Sequence, residues 1–521
     1  MAAGSLNENR GGHAIIPMRY IMSIMGCIGM AIIYGFKVNV SVAMVAMVNE
    51  TAIKLLPKDH STIINPSLNS SFHPSVNSTL NTIFNATSVS GTLHELSKSS
   101  KTDGPFVWSR PLQGLIKSSY FWGYMVSLIP AGRMSELLSA KWVMNVSVLL
   151  NVVASVLSPV AAQMHYSFFI AMRFIQGIGG GVTFPAMHVM VSKWAPPNER
   201  SVLTSIVYAG TALGTVISLI LTGILADNFG WASVFYIEGA LCLIWCTAWW
   251  LMVEDSPDKQ KRFITSEERE YILSSLNKSV GKSSHGAGVP WRKVFTSPPF
   301  LAILVAHFCS NVGWYMLLTE LPHYMNQMLE FNLSENAGLS ALPFFCMWIF
   351  TMGLSKILAI MQEKNWISVT VSRKIGTLFA SAVPMLCLIG VSYVGKDRFL
   401  AVTLMTIGGT CLGGMYCGFL ANHIDIAPNY AGTLVSITNF FATIPGLTIS
   451  VIVGKLTDGN ETVEAWRVVF FITVIFYIVE MLVYTMFGTG EEQPWNRVDE
   501  VGVNVEEATD QKVHLKEHRE L

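Results

Sequence analysis

The chain has 521 residues, of which 51% are hydrophobic and only 13% are charged, and its mean hydropathy is +0.45. Soluble domains carry about 25% charged residues, so the composition excludes an ordinary soluble protein and predicts a polytopic membrane protein. The 34 basic and 34 acidic residues give a formal net charge of zero, which argues against nucleic acid as a partner.

The N-terminal half contains six apolar segments that are long enough to cross a bilayer. A polar stretch, residues 1–19, precedes the first of them, which is too long for a signal peptide and lacks a small-residue cleavage site. We therefore expect the first segment to be retained and residues 20–253 to form one six-helix bundle. The segments run over about 20–48, 112–133, 142–163, 168–194, 202–226 and 231–253.

A long hydrophilic loop, residues 49–110, follows the first segment and is rich in Ser, Thr and Asn. This composition predicts disorder rather than a folded domain. The loop also contains four acceptor sequences for N-glycosylation, at Asn49, Asn69, Asn77 and Asn85. They predict a glycosylated loop on the luminal or extracellular side of the membrane.

The C-terminal half repeats the pattern after a charged central loop, residues 254–299, which contains the helical-looking stretch TSEEREYILSSL. Six further segments form a second bundle over 300–488, and a charged tail, 489–521, closes the chain. They run over about 300–325, 336–360, 374–394, 399–422, 432–456 and 466–488. The fourth and tenth segments are both rich in glycine. The chain is thus predicted to be an all-α membrane protein with twelve transmembrane helices in two bundles, which rock about a midplane site.

The short loops set the predicted orientation. The junctions near 164–167, 229–230 and 327–335 carry no Lys or Arg, whereas the opposite side carries the charged central loop and several basic residues. Because basic loops remain on the cytoplasmic side, we expect both termini and the central loop to be cytoplasmic. The glycosylation sequences fall on the other side, in agreement.

The fourth segment, in the stretch 168–201, carries an arginine inside an apolar helix. A charge there is costly and marks a functional site by default. Snorkelling to an interface is the alternative for Arg173, but several uncharged residues separate it from Lys193. Four glycines follow within two turns and should let another helix approach closely. They are Gly177, Gly179, Gly180 and Gly181.

Several longer strings in both halves resemble one family. They include SSYFWGYMVSLIPAGR (118–133), RFIQGIGGGVTFPAMH (173–188), KWAPPNERS (193–201) and NHIDIAPNYAG (422–432). They are similar to the anion–cation symporter branch of the major facilitator superfamily, which includes sialin, vesicular glutamate transporters and sodium-dependent phosphate cotransporter-like proteins. The chain is most similar to invertebrate inorganic phosphate cotransporter-like or sialin-like members. The resemblance implies the major facilitator fold. One family motif is eroded, because Leu137 replaces the middle arginine between helices two and three.

The resemblance also implies which residues hold the substrate. The family has one arginine in helix one and another in helix four that are implicated in anion binding. Arg173 matches the second, and Lys37 occupies the first position, which keeps the charge but loses the bidentate fork. Two buried cations are expensive unless they are neutralised. We expect a permeating anion to neutralise them; structural pairing with Glu238 or Glu320 is the alternative.

Two further substrate contacts are predicted on weaker grounds. Lys117 lies where glutamate-transporting relatives have a histidine, so it is a candidate third cation, with an interfacial position as the alternative. Tyr315 is one of several aromatic residues that are expected either to line the cavity or simply to pack. Ser310 stands where the glutamate transporters carry another arginine, which disfavours vesicular glutamate transport.

The coupling residues are where the chain departs from the family. Sialin-like members have acids three and seven positions after the helix-four arginine, but this chain has Gln176 and Gly180, neither of which titrates. The pattern favours the phosphate-cotransporter-like group. We expect coupling or gating to involve residues from several helices, although the two histidines could equally be packed and hydrogen-bonded. The candidates are Gln176, His188, Glu238, Glu320, His423 and Asp425.

These observations together predict a secondary active transporter that moves a small anion, inorganic phosphate or an organic anion, by cation-coupled symport through alternating access. The alternatives are a proton-coupled exporter of sialic acid or acidic amino acids, and a receptor-like protein that keeps the fold without transport. No zinc-protease or phosphate-loop motif supports an enzyme. We expect no cofactor or metal site, Na⁺ or H⁺ as coupling ion, a monomer, and the plasma membrane by default, with lysosomal or vesicular membranes as alternatives.

Overall fold

The structure is a computed structural model, and it describes residues 16–49, 52–53, 104–279, 288–321, 324–325, 328–330, 333–457 and 462–496. Within these ranges the chain is built of helices and contains no β-strand.

Twelve long helices, α1 to α12, follow the order of the predicted segments. The N-terminal half contributes α1 (Met18–Met47), α2 (Arg110–Leu137), α3 (Ala140–Met164), α4 (Tyr166–Trp194), α5 (Arg200–Phe229) and α6 (Trp231–Met252). The C-terminal half contributes α7 (Pro298–Tyr315), α8 (Leu333–Glu363), α9 (Val369–Val394), α10 (Arg398–Ile426), α11 (Ala431–Thr457) and α12 (Val463–Phe487). The predicted helix in the central loop is present as Ser266–Ser279.

Eleven of the helices in the described part of the chain are long and apolar enough to cross a membrane. The remaining helix, α2, has 28 residues, and at 1.5 Å per residue it spans about 42 Å, more than the thickness of a hydrocarbon core. It is more polar than the others because it contains Arg110, Lys117, Arg133 and Glu136. The structure therefore agrees with the predicted all-α membrane fold.

Local sequence signals set several helix boundaries. Pro17 precedes α1, and prolines occupy the first turn of α2 and of α7, where the missing N–H has no intrahelical partner. The side chain of Asp397 accepts a hydrogen bond from the N–H of Leu400 at the start of α10, and Thr462 caps α12 in the same way.

Glycines bring α2 and α4 into close contact, as the sequence predicts. A side chain at Gly177 would overlap the backbone carbonyl of Tyr120, and one at Gly181 would overlap the carbonyl of Tyr124. A side chain at Gly123 on α2 would in turn overlap the carbonyl of Phe174. The two backbones therefore touch along two turns, as small residues permit in membrane helices.

Two helices of the C-terminal half are irregular near the middle of the molecule. The tenth consists of three segments, Arg398–Cys411, Gly414–Cys417 and Phe419–Ile426, interrupted around glycines. The seventh continues beyond Tyr315 as one π-helical turn, Met316–Glu320. Interrupted helices are typical of the binding region of secondary transporters, and π turns often lie at functional sites.

The ends of the long hydrophilic loop are fixed together at the end of α1. Val48 forms an isolated parallel bridge with Phe106, and the N–H of Asn49 donates to the carbonyl oxygen of Phe106 over 2.8 Å. The side-chain oxygen of Asn49 accepts a hydrogen bond from the N–H of Ala52 over 2.7 Å. The other predicted glycosylation positions, Asn69, Asn77 and Asn85, and the predicted disorder of the loop lie outside the described residues.

Candidate substrate and coupling site

The two bundles meet along two helix pairs and enclose a central cavity. Helix α2 packs against α11, and α5 packs against α8. The cavity lies between them and has space for about one water molecule in this conformation. Its lining comes from α1, α2, α4, α7, α10 and α11, namely Tyr34, Lys37, Tyr124, Phe184, His307, Asn311, Trp314, Tyr315, Met415, Tyr416, Leu420 and Asn439.

Lys37 is the cation of this cavity. Its side chain is only 7% exposed, and its ammonium group donates a hydrogen bond of 2.9 Å to the hydroxyl oxygen of Tyr315 on the opposite bundle. Four aromatic rings surround the ammonium nitrogen at centroid distances of 4.9 to 5.3 Å; they belong to Tyr34, Phe121, Tyr124 and Tyr315. Cation–π contacts within about 6 Å are attractive, most of all where water is excluded. The ring cage therefore stabilises a lysine that forms no ion pair with any of the described residues.

Arg173 lies beside the same turn of α1, one layer behind the cavity wall. Its Nη1 donates to the carbonyl oxygen of Phe36 over 2.8 Å and to Oε1 of Gln176 over 2.6 Å. The guanidinium lies 5.0 Å from the ring centroid of Tyr120, and its Nε has no partner in the described part of the chain. Since Arg173 is 1% exposed, it is fully inside the bundle rather than snorkelling to an interface. Gln176 acts as its direct neutral partner.

The structure pairs neither cation with a carboxylate. Within the described ranges, no Asp or Glu oxygen lies within 4.0 Å of Lys37 or Arg173. Glu238 accepts instead from Asn39 over 2.6 Å, Thr222 over 3.2 Å and Ser218 over 3.4 Å, and so joins α6 to α1 and α5. Glu320 lies in the π turn, where it accepts from Thr319 over 2.9 Å. Neither cation therefore forms a direct ion pair among the described residues, although Glu238 interacts electrostatically with Arg173 at longer range.

Gly180 and Lys117 are two further positions at which the structure bears on substrate contacts or coupling. A side chain at Gly180 would overlap the hydroxyl group of Tyr120, so the position that is acidic in sialin-like members has no room for an acid here. Lys117 is exposed near the start of α2 and is not among the residues that line the cavity. It therefore does not join Lys37 in this conformation.

Three buried imidazoles meet where α4, α7 and α10 converge. The ring of His423 lies 5.5 Å from that of His188 and 6.2 Å from that of His307. The hydroxyl group of Thr438 links two of them, at 2.8 Å from Nε2 of His423 and 3.0 Å from Nδ1 of His307. The third ring, His188, contacts the hydroxyl of Tyr208 and lies 3.1 Å from the carbonyl oxygen of Leu420. These hydrogen bonds support the packed alternative for His188 and His423.

Asp425 joins the two bundles at the end of the molecule where the central loop lies. Its Oδ1 lies 3.1 Å from Nη1 of Arg200 on α5, and its Oδ2 lies 2.6 Å from Nε of Arg373 on α9. Arg373 also contacts the hydroxyl of Ser201. Close by, Glu136 of the eroded family motif accepts from the N–H and the hydroxyl of Thr433 over 2.6 and 2.7 Å. Both contacts join the two halves of the chain at one end of the cavity.

Sequence reasoning missed three residues of this region. His307 lies in the apolar run ILVAHFCS and has no charged neighbour to mark it. Arg373 lies at the edge of a segment, where a basic residue indicates only the orientation of the helix in the membrane. Glu480 was overlooked although it stands alone inside VIFYIVEMLVY (474–484), and a carboxylate in the middle of an apolar helix is a sufficient signal.

Comparisons with known proteins agree with this architecture. Residues 61–450 match the profile of the Major Facilitator Superfamily. Human sialin is 38% identical over 485 residues, 93% of this chain and 92% of its own. A Drosophila melanogaster protein named "Putative inorganic phosphate cotransporter" is 37% identical over 92% of this chain and 87% of its own. Human vesicular glutamate transporter 2 is 34% identical over 92% of this chain and 75% of its own.

The solved structures of two sugar transporters share the fold. A proton:xylose symporter superposes with a TM-score of 0.59 at 16% identity and covers 91% of this chain and 97% of its own. The Escherichia coli fucose:proton symporter gives a TM-score of 0.57 at 14% identity, over 91% of this chain and all of its own. The chain is therefore an integral membrane transporter, not an enzyme, and belongs to the major facilitator superfamily, as a homologue of sialin, inorganic phosphate cotransporter-like proteins and the vesicular glutamate transporters.

Proposed function

We propose that the protein carries a small anion, inorganic phosphate or an organic anion, across the membrane by cation-coupled symport. The proposal rests on two buried cations, Lys37 and Arg173, neither of which forms a direct ion pair with a carboxylate in the described part of the chain. A permeating anion supplies the missing negative charge, so binding and neutralisation are the same event. The names of the relatives point to the same class of substrate.

Lys37 is proposed as the first contact. The anion bridges the ammonium group and the hydroxyl of Tyr315, because that hydroxyl can donate as well as accept. Arg173 is proposed as the second contact, through the nitrogen Nε that has no partner in the described chain. Since the cavity holds about one water molecule here, this conformation is the closed form, and the helices must separate to admit the anion.

Asp425 is proposed as the gate at the end that carries the central loop. Alternating access requires the bonds from Arg200 and Arg373 to Asp425 and the bonds from Thr433 to Glu136 to break together when this end opens. The three-histidine cluster and Gln176 lie between the gate and the cations, so they would transmit the change. Glu238 and Glu320 are proposed to hold their helices rather than the substrate, and Lys117 is proposed as an interfacial residue.

The basic loops support a topology with both termini, the central loop and the gate in the cytoplasm. The sequons at Asn49, Asn69, Asn77 and Asn85 then lie on the luminal or extracellular side. The domain boundaries follow, with bundles over 20–253 and 300–488. We propose a monomer, with the plasma membrane as its default location.

Uptake into proteoliposomes tests the function. Purified protein would be offered phosphate, sialic acid, glutamate and urate under a sodium gradient and, separately, a proton gradient. We expect saturable uptake of at least one anion, abolished by Lys37→Ala and by Arg173→Ala and unaffected by Lys261→Ala, which removes an exposed lysine of the central loop. Uptake that survives both cation substitutions would overturn the site, and absence of uptake in the wild type would overturn transport of these anions.

A further inference from the structure

Glu480 is a buried carboxyl group that the anion site does not use. It lies in the C-terminal half of α12 with a completely buried side chain. Neither of its oxygens has a partner of good hydrogen-bond geometry in the described part of the chain, and the hydroxyl of Ser310 lies close enough to interact with it. An ionised carboxylate without partners is strongly unfavourable in such a place, and the group normally becomes neutral instead.

The neighbours of Glu480 supply no positive charge. Cys309 on α7 and Tyr477 on α12 interact with it, and the hydroxyl of Ser310 on α7 faces it. Cys387 on α9 lies behind Tyr477. From α11, the remaining helix packed against α12, no titratable group is found against Glu480 among the described residues. The surroundings therefore match a protonated, uncharged carboxyl group.

Helix α7 connects this carboxyl group to the anion cavity. One face of α7 carries Tyr315, which binds Lys37, and another face carries Ser310 toward Glu480. The contact with α12 is tight, because a side chain at Gly313 would overlap the ring of Tyr477, one turn before Glu480. A π turn follows Tyr315 immediately, and such turns often mark places where a helix adjusts. Movement of α7 on anion binding must therefore change the surroundings of Glu480.

We propose that Glu480 carries the coupling proton of the transport cycle. The carboxyl group is protonated in the closed conformation. When α7 moves and water reaches it, its O–H bond breaks, the electron pair stays on the carboxylate, and the proton passes to water on the side to which the site is open. The hydroxyl of Ser310 then turns to donate to the carboxylate. This inference rests on the proposed symport and adds the identity of the cation and of its site.

A proton fits this place better than a metal cation does. Hard cations are bound by several oxygen ligands, whereas among the described residues of α7 only Ser310 brings a hydroxyl to Glu480. Glu238, a coupling candidate from the sequence, differs because three side chains donate hydrogen bonds to its oxygens. Replacing it therefore disturbs helix packing, whereas the amide of Glu480→Gln closely imitates the protonated acid.

The first test compares accumulation with exchange in proteoliposomes. With the membrane potential held at zero, a gradient of one pH unit coupled to one proton concentrates the anion about tenfold. We expect the wild type to approach this value and Glu480→Gln to show no accumulation, while its exchange of internal for external anion at equal pH continues. Glu480→Asp should regain part of the accumulation. The control is Glu464→Gln, at the exposed start of the same helix. Accumulation by Glu480→Gln equal to the wild type would overturn the proposal.

The second test does not require transport. Infrared difference spectra between neutral and alkaline pH should contain the carbonyl band of a protonated carboxylic acid in the wild type and lose it in Glu480→Gln, but keep it in Glu464→Gln. A spectrum in which Glu480→Gln leaves the band unchanged would overturn the assignment. If Glu480→Gln weakens this band but the wild type transports no anion, the proposed function fails and the protonation of Glu480 stands.

Discussion

The ammonium nitrogen of Lys37 lies 2.9 Å from the hydroxyl oxygen of Tyr315, and this single bond connects α1 of one bundle to α7 of the other across the cavity. The four surrounding rings exclude water from the lysine, and no carboxylate of the described residues forms an ion pair with it. Binding of an anion next to this charge is therefore favourable. Because this bond joins the two bundles, anion binding here changes how strongly they are held together.

Loss of the Tyr315 hydroxyl should weaken substrate binding. We expect Tyr315→Phe to raise the KM for anion uptake about tenfold or more, because a hydrogen bond to a charged group contributes roughly 1.5–3 kcal/mol. Initial-rate uptake over a range of anion concentrations would measure this. Tyr393→Phe, at an exposed tyrosine of α9, is the control and should leave the KM unchanged. An unchanged KM in Tyr315→Phe would show that the Tyr315 hydroxyl does not contact the anion.

Loss of the Asp425 charge should open the gate. Asp425→Asn leaves the buried Arg200 and Arg373 without their carboxylate, and removing one partner of such an ion pair costs about 3–5 kcal/mol. We expect faster amide hydrogen exchange over residues 195–205 and 419–431, as the closed form loses population. Asp397→Asn, at the exposed start of α10, should leave these segments protected. Unchanged exchange in Asp425→Asn would mean that Asp425 does not hold the bundles together.

Close packing of α2 and α4 predicts that substitution of two different glycines has different effects on stability. A methyl group at Gly177 would overlap the backbone of Tyr120, whereas Gly223 on α5 has open space around its Cβ position. We expect Gly177→Ala to lower the free energy of unfolding by about 1–3 kcal/mol or more, and Gly223→Ala to be neutral or slightly stabilising. Thermal unfolding in detergent would measure both. Equal Tm values for the two variants would contradict the close contact.

Asp255 lies just beyond α6, outside the membrane helices, and its environment predicts that the stability of the folded protein depends on pH. Burial alone raises the pKa of its carboxyl group, but the ion pair of 2.8 Å with Lys193 and the hydrogen bonds from Ser139 and Lys141 together hold the pKa below its ordinary value. A depressed pKa stabilises the folded protein above the unfolded pKa of about 3.9, and the stabilisation disappears as the pH falls through the folded pKa.

Asp255→Asn should consequently lower stability by about 1–2 kcal/mol at neutral pH. Thermal unfolding of the wild type and the variant at pH 7 and at successively lower pH would follow the difference, which should shrink below about pH 4. Asp258→Asn, at a neighbouring exposed residue, should behave like the wild type throughout. A difference that persists at low pH would assign the effect of Asp255→Asn to packing instead of charge.

Segment hydropathy predicted the helices because the bilayer imposes length and apolarity on each span. Arg173 and Lys37 were predicted as buried cations for the same reason, since a charge is conspicuous in such a helix. The cage around Lys37 was not predictable in this way. Its rings come from α1, α2 and α7, and Tyr315 is 278 positions away in the chain. Without the packing of the bundles, Phe121 and Tyr124 are indistinguishable from lipid-facing aromatics.

The position of His307 in the histidine cluster and the interruptions of α10 could not be predicted from the sequence, for related reasons. His307 belongs to the histidine cluster because the hydroxyl of Thr438 bridges it to His423, and this contact cannot be read from the sequence. The glycines of α10 predicted close packing, but whether they also interrupt a helix depends on the neighbours. At Gly413 and Gly418 a side chain would overlap Thr351 and Thr377 of the adjacent helices. These are properties of the assembled bundle.

Transport as proposed depends on neutralisation of Lys37 by the bound anion. The most direct measurement is the Tm of the purified protein with and without the transported anion, in the wild type and in Lys37→Met, whose side chain keeps the length but not the charge. At an anion concentration about 100 times the Kd, binding stabilises the folded protein by about 2.7 kcal/mol. The account predicts a clear rise in Tm for the wild type and for Lys261→Met, and no rise for Lys37→Met. An equal rise in Lys37→Met would contradict it.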